Sequence, residues 1–435
     1  MKCNKNFIQL IGMYIIILGG LWLLLIAAAM IPNQRIQGNM RKSAIAIGKE
    51  DAFAYQDGDR MNGIADNYAD SIWVNVAWFM GKENPVESSI NTWYYDGENA
   101  GENIGLYKAV TEETTNPNAD YTRYWHGTAG VIRILHLFTD VIEIKKLGFL
   151  TILTLAAVLM ILLIRDGKDS LAVAFFLSIC AVKIWNVRLS MEYQPAFIIA
   201  FFMCILYFCM EKKGNSKLLF LAIVGGELIA FFDFLTTETM VILLPLILVI
   251  TRRALDGRIG TGKDNLKLII TQGIAWLASY GMTIFMKWLL ASVITGENKF
   301  LTALHMAKER VNGNVSVKEG INLVLQIWMA PAANLSVLFG GTKRIEVFPL
   351  TAGIILVFIF FMIFVISMCK VTKEKKTAFM MLFVLGIMII MRYVALSNHS
   401  YLHAFFTYRG LISLILAMLS MILLNIRKEF EGDGR

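Results

Sequence analysis

Two carboxylates four residues apart, in Asp66-Asn-Tyr-Ala-Asp70, are the first residues in this chain whose types and spacing suit chemistry. Residues 64–80 read as an amphipathic helix with Asp66 as its cap, so both acids project from one face. Like charges at that spacing repel by a few tenths of a kcal/mol on an exposed helix. A bound cation or a raised pKa relieves the repulsion, and either condition suits metal binding or general base catalysis. The plainer alternative is a solvated helix start carrying two unrelated acids. Further on, Tyr121-Thr-Arg-Tyr-Trp-His-Gly127 gathers aromatic, cationic and imidazole groups. Tyr124 and Trp125 suit stacking on a sugar ring, while Arg123 or His126 meets phosphate or hydroxyl. An aromatic belt at the bilayer boundary is the competing account.

Three later groups add polar chemistry. Asp233-Phe-Leu-Thr-Thr-Glu238 sets Thr236 and Thr237 between two acids; it is either a polar ledge facing the first outer loop or a turn with a threonine cap. Arg392, His399, His403, Tyr408 and Arg409 collect around one turn near the C-terminus. Two guanidiniums and two imidazoles at one depth make an anion site, because arginine stays charged and pairs with phosphate bidentately; interfacial anchoring is the alternative. His399 and His403 have metal-ligand spacing but no identifiable third ligand, which argues against zinc. Glu227 falls near the middle of an apolar run, where an ionisable group costs about 2.5–3.5 kcal/mol and marks a site by default. Lys183, Arg188 and Lys287 lie near helix ends, where they snorkel.

The elements that must hold these groups are membrane spans. With 57% hydrophobic and 17% charged residues and a mean hydropathy of +0.59, the chain has more apolar surface than one soluble core could cover, and reads as an all-α polytopic membrane protein. About ten spans are expected, at 7–31, 148–164, 170–189, 193–210, 217–235, 239–251, 267–293, 347–369, 377–396 and 402–425. Residues 321–340 are apolar too, but Pro331 would break a spanning helix, so that stretch is expected to be re-entrant or interfacial. The chain thus divides into an anchor (1–31), a large outer loop (32–147), spans two to seven (148–293), an outer region (294–346), spans eight to ten (347–425) and a tail (426–435). Lys/Arg in the short loops assign the tail and the N-terminus to the cytoplasm, and all five histidines, His305 among them, to the outer side. The outer loop holds sixteen Asp/Glu against eleven Lys/Arg in a chain of net charge +8, and none of the five cysteines, so it contains no disulfide framework. Within it, 130–146 reads as an interfacial helix, with Val131, Leu135, Phe138 and Ile142 opposed by Arg133, His136, Asp140 and Glu143.

An inward N-terminus, a first span followed by a large outer loop with an acidic pair, an interfacial helix leading to the second span, and polar groups gathered outside together resemble the GT-C superfamily of membrane glycosyltransferases. Tyr124-Trp125-His126-Gly127 and the Asp233–Thr237 turn are also similar to an uncharacterised group of bacterial envelope proteins of that build. The resemblance implies a bacterial plasma-membrane enzyme with polyprenyl-phosphate sugars as donors and an outer-loop Asp as base, a role open to Asp66 or Asp70. A divalent metal serves some members and not others. The function expected is transfer of one sugar to an envelope glycan or lipid-linked acceptor on the outer face, with Arg392, Arg409 and Arg123 on the leaving phosphate. Expected partners are the lipid-phosphate-linked sugar, the envelope glycan acceptor and membrane lipids, with no nucleic acid. A flippase of lipid-linked glycan, a noncatalytic envelope assembly protein and a polysaccharide polymerase or ligase are the competing classes; Glu227 favours the flippase and the early outer loop favours the transferase.

Overall fold

A computed structural model describes residues 2–432 apart from 57, 83, 113–114, 302–303, 305–322 and 371–372, and it is all-α in class. His305 lies outside the described residues. The first helix, α1 (Lys2–Ala29), is apolar over 22 residues and runs into α2 (Asn33–Gly48) after a break at Pro32. Strand β1 (Phe53–Tyr55) pairs antiparallel with β2 (Ile64–Asp66), and its register sets Phe53 opposite Asp66. That pairing ends the strand where α3 (Asn67–Phe79) begins, so Asp66 becomes the helix cap, accepting the Ala69 N–H at 2.9 Å. A short α4 (Pro85–Ser88), the β3 (Trp93–Tyr94) and β4 (Ala119–Asp120) pair, and α5 (Glu102–Thr111) complete a small domain between the first two long apolar helices.

Helix α3 is not amphipathic in place. Of its thirteen residues only Tyr68 is not buried, because α2, α5 and α6 (Gly127–Leu135) cover its sides. Nor is 130–146 one helix: α6 stops at Leu135, and Asp140 caps α7 (Val141–Arg165) by accepting from the Ile142 N–H. The apolar face expected there does point outward, with Phe138 78% exposed. Its opposite face is interior rather than solvated. Arg133 is wholly buried and donates to the Ala28, Ile31 and Ala77 carbonyls and to Asn33, tying the end of α1 to the end of α3. Burial holds His136 well below its usual pKa, down to about 4.

The remaining chain supplies α8 (Asp169–Ala181), α9 (Gln194–Met210), α10 (Asn215–Phe232), α11 (Met240–Leu255), α12 (Gly262–Thr295), α13 (Leu323–Leu338), α14 (Val347–Lys370), α15 (Lys373–Ala395), the short α16 (Ser397–Leu402) and α17 (Ala404–Thr407), and α18 (Ile412–Gly432). Among the described residues, eight apolar helical runs are long enough to cross a membrane, as a polytopic membrane protein requires. Two runs expected to span fall short: α8 has 13 residues and continues as a 3₁₀ stretch, Ile184–Leu189, while α11 has 16. At 1.5 Å per residue α11 extends only about 24 Å, and nearly all of it is buried among α9, α15 and α18. Pro331 does not break its helix; α13 continues through it for 16 residues, still below a full crossing. Its C-terminal half packs on α14 and α16, and the Asn62 side chain reaches its Val337 carbonyl at 2.8 Å.

The two ends of the bundle differ chemically. At one, Arg252 pairs with Asp166 at 2.7 Å, Glu211 with Arg253 at 2.8 Å and Arg258 at 3.0 Å, and Lys168 with Asp256. At the other, the small domain of residues 33–135 packs over the helix ends. Trp125 donates to the Thr283 carbonyl of α12 and Lys287 to the Ile90 carbonyl, each buried.

Candidate functional site

Asp66 and Asp70 take different roles. Asp70 lies one turn into α3 and is completely buried. Its Oδ1 accepts from Ser190 Oγ at 2.8 Å and from the Met191 and Glu192 backbone N–H groups at 2.9 and 3.3 Å, and its Oδ2 pairs with Lys145 of α7 at 2.7 Å. Oδ1 is thus held by three donors from the turn before α9, and Oδ2 by the Lys145 ammonium of α7. Asp66 uses Oδ1 on its own helix cap, and its side chain hydrogen-bonds to the carboxyl of Glu192.

Two buried carboxyls in contact cannot both ionise cheaply. Burial first, then the neighbouring Asp66, hold Glu192 well above its ordinary pKa, and the nearby Asp233 and Asp70 raise it further. Burial also raises Asp66 to about 6, although its hydrogen bonds to Glu192 and Ala69 act against that. The pair therefore holds one proton on Glu192 and a carboxylate on Asp66 near neutral pH. Asp233, just past the end of α10, is pushed by burial up to about 7 while Thr236 donates to it from both N–H and hydroxyl.

The arginines divide in the same way. Arg392 of α15 is bidentate with Glu238, at 3.0 and 2.9 Å, and also donates to the Leu235 carbonyl and Ser400. It organises the Asp233–Glu238 turn and has no spare donor face for a phosphate. Leu235 sits at φ +69°, a strained conformation for a branched side chain, and its carbonyl also takes His399 Nε2 at 2.7 Å. Tyr408 reaches the Val182 carbonyl at 3.2 Å, and His403 stacks on Phe406. Thr237 is buried in the same turn. Arg409 is the exception. It is 1% exposed, none of its three guanidinium nitrogens has a hydrogen-bond partner among the described residues, and its carbon lies 4.2 Å from the centre of the Tyr193 ring and 5.0 Å from that of Tyr408. Tyr193 is the residue after Glu192, and its hydroxyl donates to the Ile64 carbonyl, two residues before Asp66. Tyr193 feels the charges of Asp66, Arg409 and Glu192 together, so the carboxyl pair and the bare guanidinium share one neighbourhood.

No protein-family model, curated protein or solved structure matches this chain. Its chemistry therefore rests on geometry.

Of the Tyr121–Gly127 stretch, Trp125 is buried beneath α12 and is closed to a sugar. Tyr124 and His126 pack around Phe234 at 5.5 and 4.6 Å, which joins this stretch to the Asp233 turn. His126 Nε2 bonds to the Tyr121 carbonyl, so the imidazole is neutral with Nδ1 as an acceptor; burial, then Lys287, keep its pKa well down. Arg123 lies 3.7 Å over the Tyr121 ring. Gly127 permits this docking, since a Cβ there would stand 2.3 Å from the Phe231 ring.

Beside Met191 and Gln194 opens an apolar groove of about 540 Å³ between α6, α7, α9 and α10, lined by Val131, Ile144, Leu147, Pro195, Ile198 and Phe232 among others. Gly148 keeps it open: a Cβ there would collide with the Gln194 side chain. Among the described residues no three His, Cys, Asp or Glu side chains are placed to share a metal ion. The partners that sequence reading missed are Glu192, Lys145 and Phe234. For Glu192 a signal existed: it is a lone acid in a three-residue turn between two apolar runs.

Proposed function

We propose that this protein is a membrane glycosyltransferase that moves a sugar from a lipid-phosphate donor to an envelope acceptor. The observation that carries this reading is the buried guanidinium of Arg409, without a hydrogen-bond partner among the described residues, in one neighbourhood with the Asp66–Glu192 pair, whose turn also borders an apolar groove through Met191 and Gln194. A buried guanidinium without hydrogen bonds is costly unless an anion completes it. The lipid chain lies in the groove and its phosphate meets Arg409. The Asp66 carboxylate takes the proton of the acceptor hydroxyl, and the acceptor oxygen bonds to the anomeric carbon. The bond from that carbon to the phosphate oxygen breaks with its electron pair leaving on the phosphate, where Arg409 balances the growing charge. The proton ends on the Asp66–Glu192 pair, which is then fully protonated. Burial lifts the basicity of Asp66 toward neutrality, and Glu192, whose hydrogen bond opposes that rise, is the positioning partner that orients the carboxylate.

The test is transfer by purified protein from a polyprenyl-phosphate sugar, followed as release of polyprenyl phosphate. Asp66→Asn keeps a good helix cap and is expected to slow release by about 10²–10⁴-fold. Unchanged release in that variant overturns the base assignment. A flippase reading draws on Glu227, buried in α10 with neither oxygen hydrogen-bonded to a side chain; loss of lipid-linked glycan translocation in Glu227→Gln, with no release in the wild type, would favour it.

A further inference from the structure

Helix α7 separates two openings that reach the same turn, residues 188–194. The apolar groove lies on one flank. On the other is a pocket of about 320 Å³, at the small end of ligand sites, whose polar lining is Lys145, Lys146, Arg188, Glu50, Gln56 and Asn67. Three cations face one acid. Ala65 and Asn67, the chain neighbours of Asp66, also line it, and Lys145 belongs both to this pocket and, through its 2.7 Å pair with Asp70, to the carboxyl cluster. Arg188 is exposed and makes no hydrogen bond or ion pair among the described residues. Lys146 holds only an exposed pair with Glu143, one turn back along its own helix, which is cheap to exchange for a ligand.

We infer that this pocket binds the acceptor through its anionic group, so that the acceptor is a saccharide bearing a carboxylate or a phosphate. The word acceptor rests on the transfer reading; binding itself does not. Arg188 and Lys146 meet the anion, and Gln56 and Glu50 suit the hydroxyls of a sugar. The carboxylate of Glu50 opposes a bare lipid headgroup, which offers an anion without a ring of hydroxyls. The bound ring then lies against the strand that ends in Asp66, on the opposite side of α7 from the donor chain. Each substrate has its own entrance.

The experiment is equilibrium binding to the full chain in nanodiscs of zwitterionic lipid, with trigalacturonate, its methyl ester and glucose 6-phosphate as probes. The charged probes are expected to bind, with affinity falling as salt rises, and the ester to bind at least 10-fold more weakly. Arg188→Gln combined with Lys146→Gln is expected to weaken the charged probes about 10-fold, while unfolding temperature stays unchanged because both side chains are exposed. No binding of either charged probe, equal binding of the ester, or indifference to the double substitution overturns the assignment. So does displacement of trigalacturonate by phosphatidylglycerol in the disc, lost in the same double variant, which would make the pocket a headgroup site. Asp66→Asn separates the two proposals: it is expected to keep probe binding at wild-type strength while transfer is lost.

Discussion

At the scale of single residues, two aspartates that look equivalent in sequence differ in what each can give up. Asp70 accepts three donors and pairs with Lys145, so Asp70→Asn weakens three buried hydrogen bonds and removes the carboxylate from a partly exposed lysine, and is expected to cost about 1–3 kcal/mol in a thermal or denaturant unfolding measurement. Asp66→Asn is expected to leave stability nearly intact and remove activity. Identical behaviour of the two variants would sink this division of labour. The pH dependences of activity and stability have opposite signs. A base must be ionised, so transfer is expected to rise through about pH 6, where Asp66 titrates. For stability, the folded pKa values of Asp66 and Asp233 lie above their unfolded values. Their contribution is therefore fully present below the ordinary carboxylate range and is lost as pH rises through about 6 and 7. The wild type is expected to unfold at a higher temperature at pH 5 than at pH 8, and Asp66→Asn to narrow the gap. Arg409→Gln removes a guanidinium that makes no hydrogen bond among the described residues, and is expected to raise the KM for the lipid-phosphate donor without destabilising the fold.

At the scale of elements, one helix cap was legible, and strand register and sidedness of burial were not. Asp66 as a cap and the helix after it follow from local residue types, whereas the β1–β2 pairing and a helix beginning at Gly127 went unread. What periodicity could not give is what covers a face. Val131, Phe138 and Ile142 read correctly as an apolar stripe, yet Arg133 and His136 opposite them meet carbonyls and Ser43, not water. A local window cannot separate a polar face that is solvated from one whose hydrogen bonds are supplied by chain 50 to 100 residues away. The same limit hid Glu192, whose meaning comes only from contact with Asp66 in a distant element. The α6–α10 seam offers a direct check. Gly127→Ala forces a Cβ against Phe231, and overpacking of this kind costs about 1–3 kcal/mol; the expected outcome is lower thermal stability together with weaker transfer, because the Phe234 turn beside Asp233 shifts with it.

At the scale of the whole molecule, the polytopic class was plain from composition, and eight of the expected spans stand as long apolar helical runs. The two that fall short, α8 and α11, are interior or continued by a 3₁₀ stretch, and length alone could not anticipate that neighbours would shelter their ends. The proposed sidedness is open to labelling in a cysteine-free background: Glu98→Cys is expected to react with an impermeant thiol reagent in intact cells, and Gly262→Cys only after permeabilisation. Reversed accessibility would place the Asp66 cluster in the cytoplasm and end the envelope reading. The placement of Arg409 carries one more consequence. Asp66 is made early, Glu192 and Asp233 midway, and Arg409 not until 217 residues after Glu192. On the transfer proposal, a nascent chain that has not yet made Arg409 holds the acid pair with nothing to grip a phosphate, and is expected to stay inert toward lipid carriers. Under that same proposal, synthesis order itself guards the membrane against a half-built enzyme.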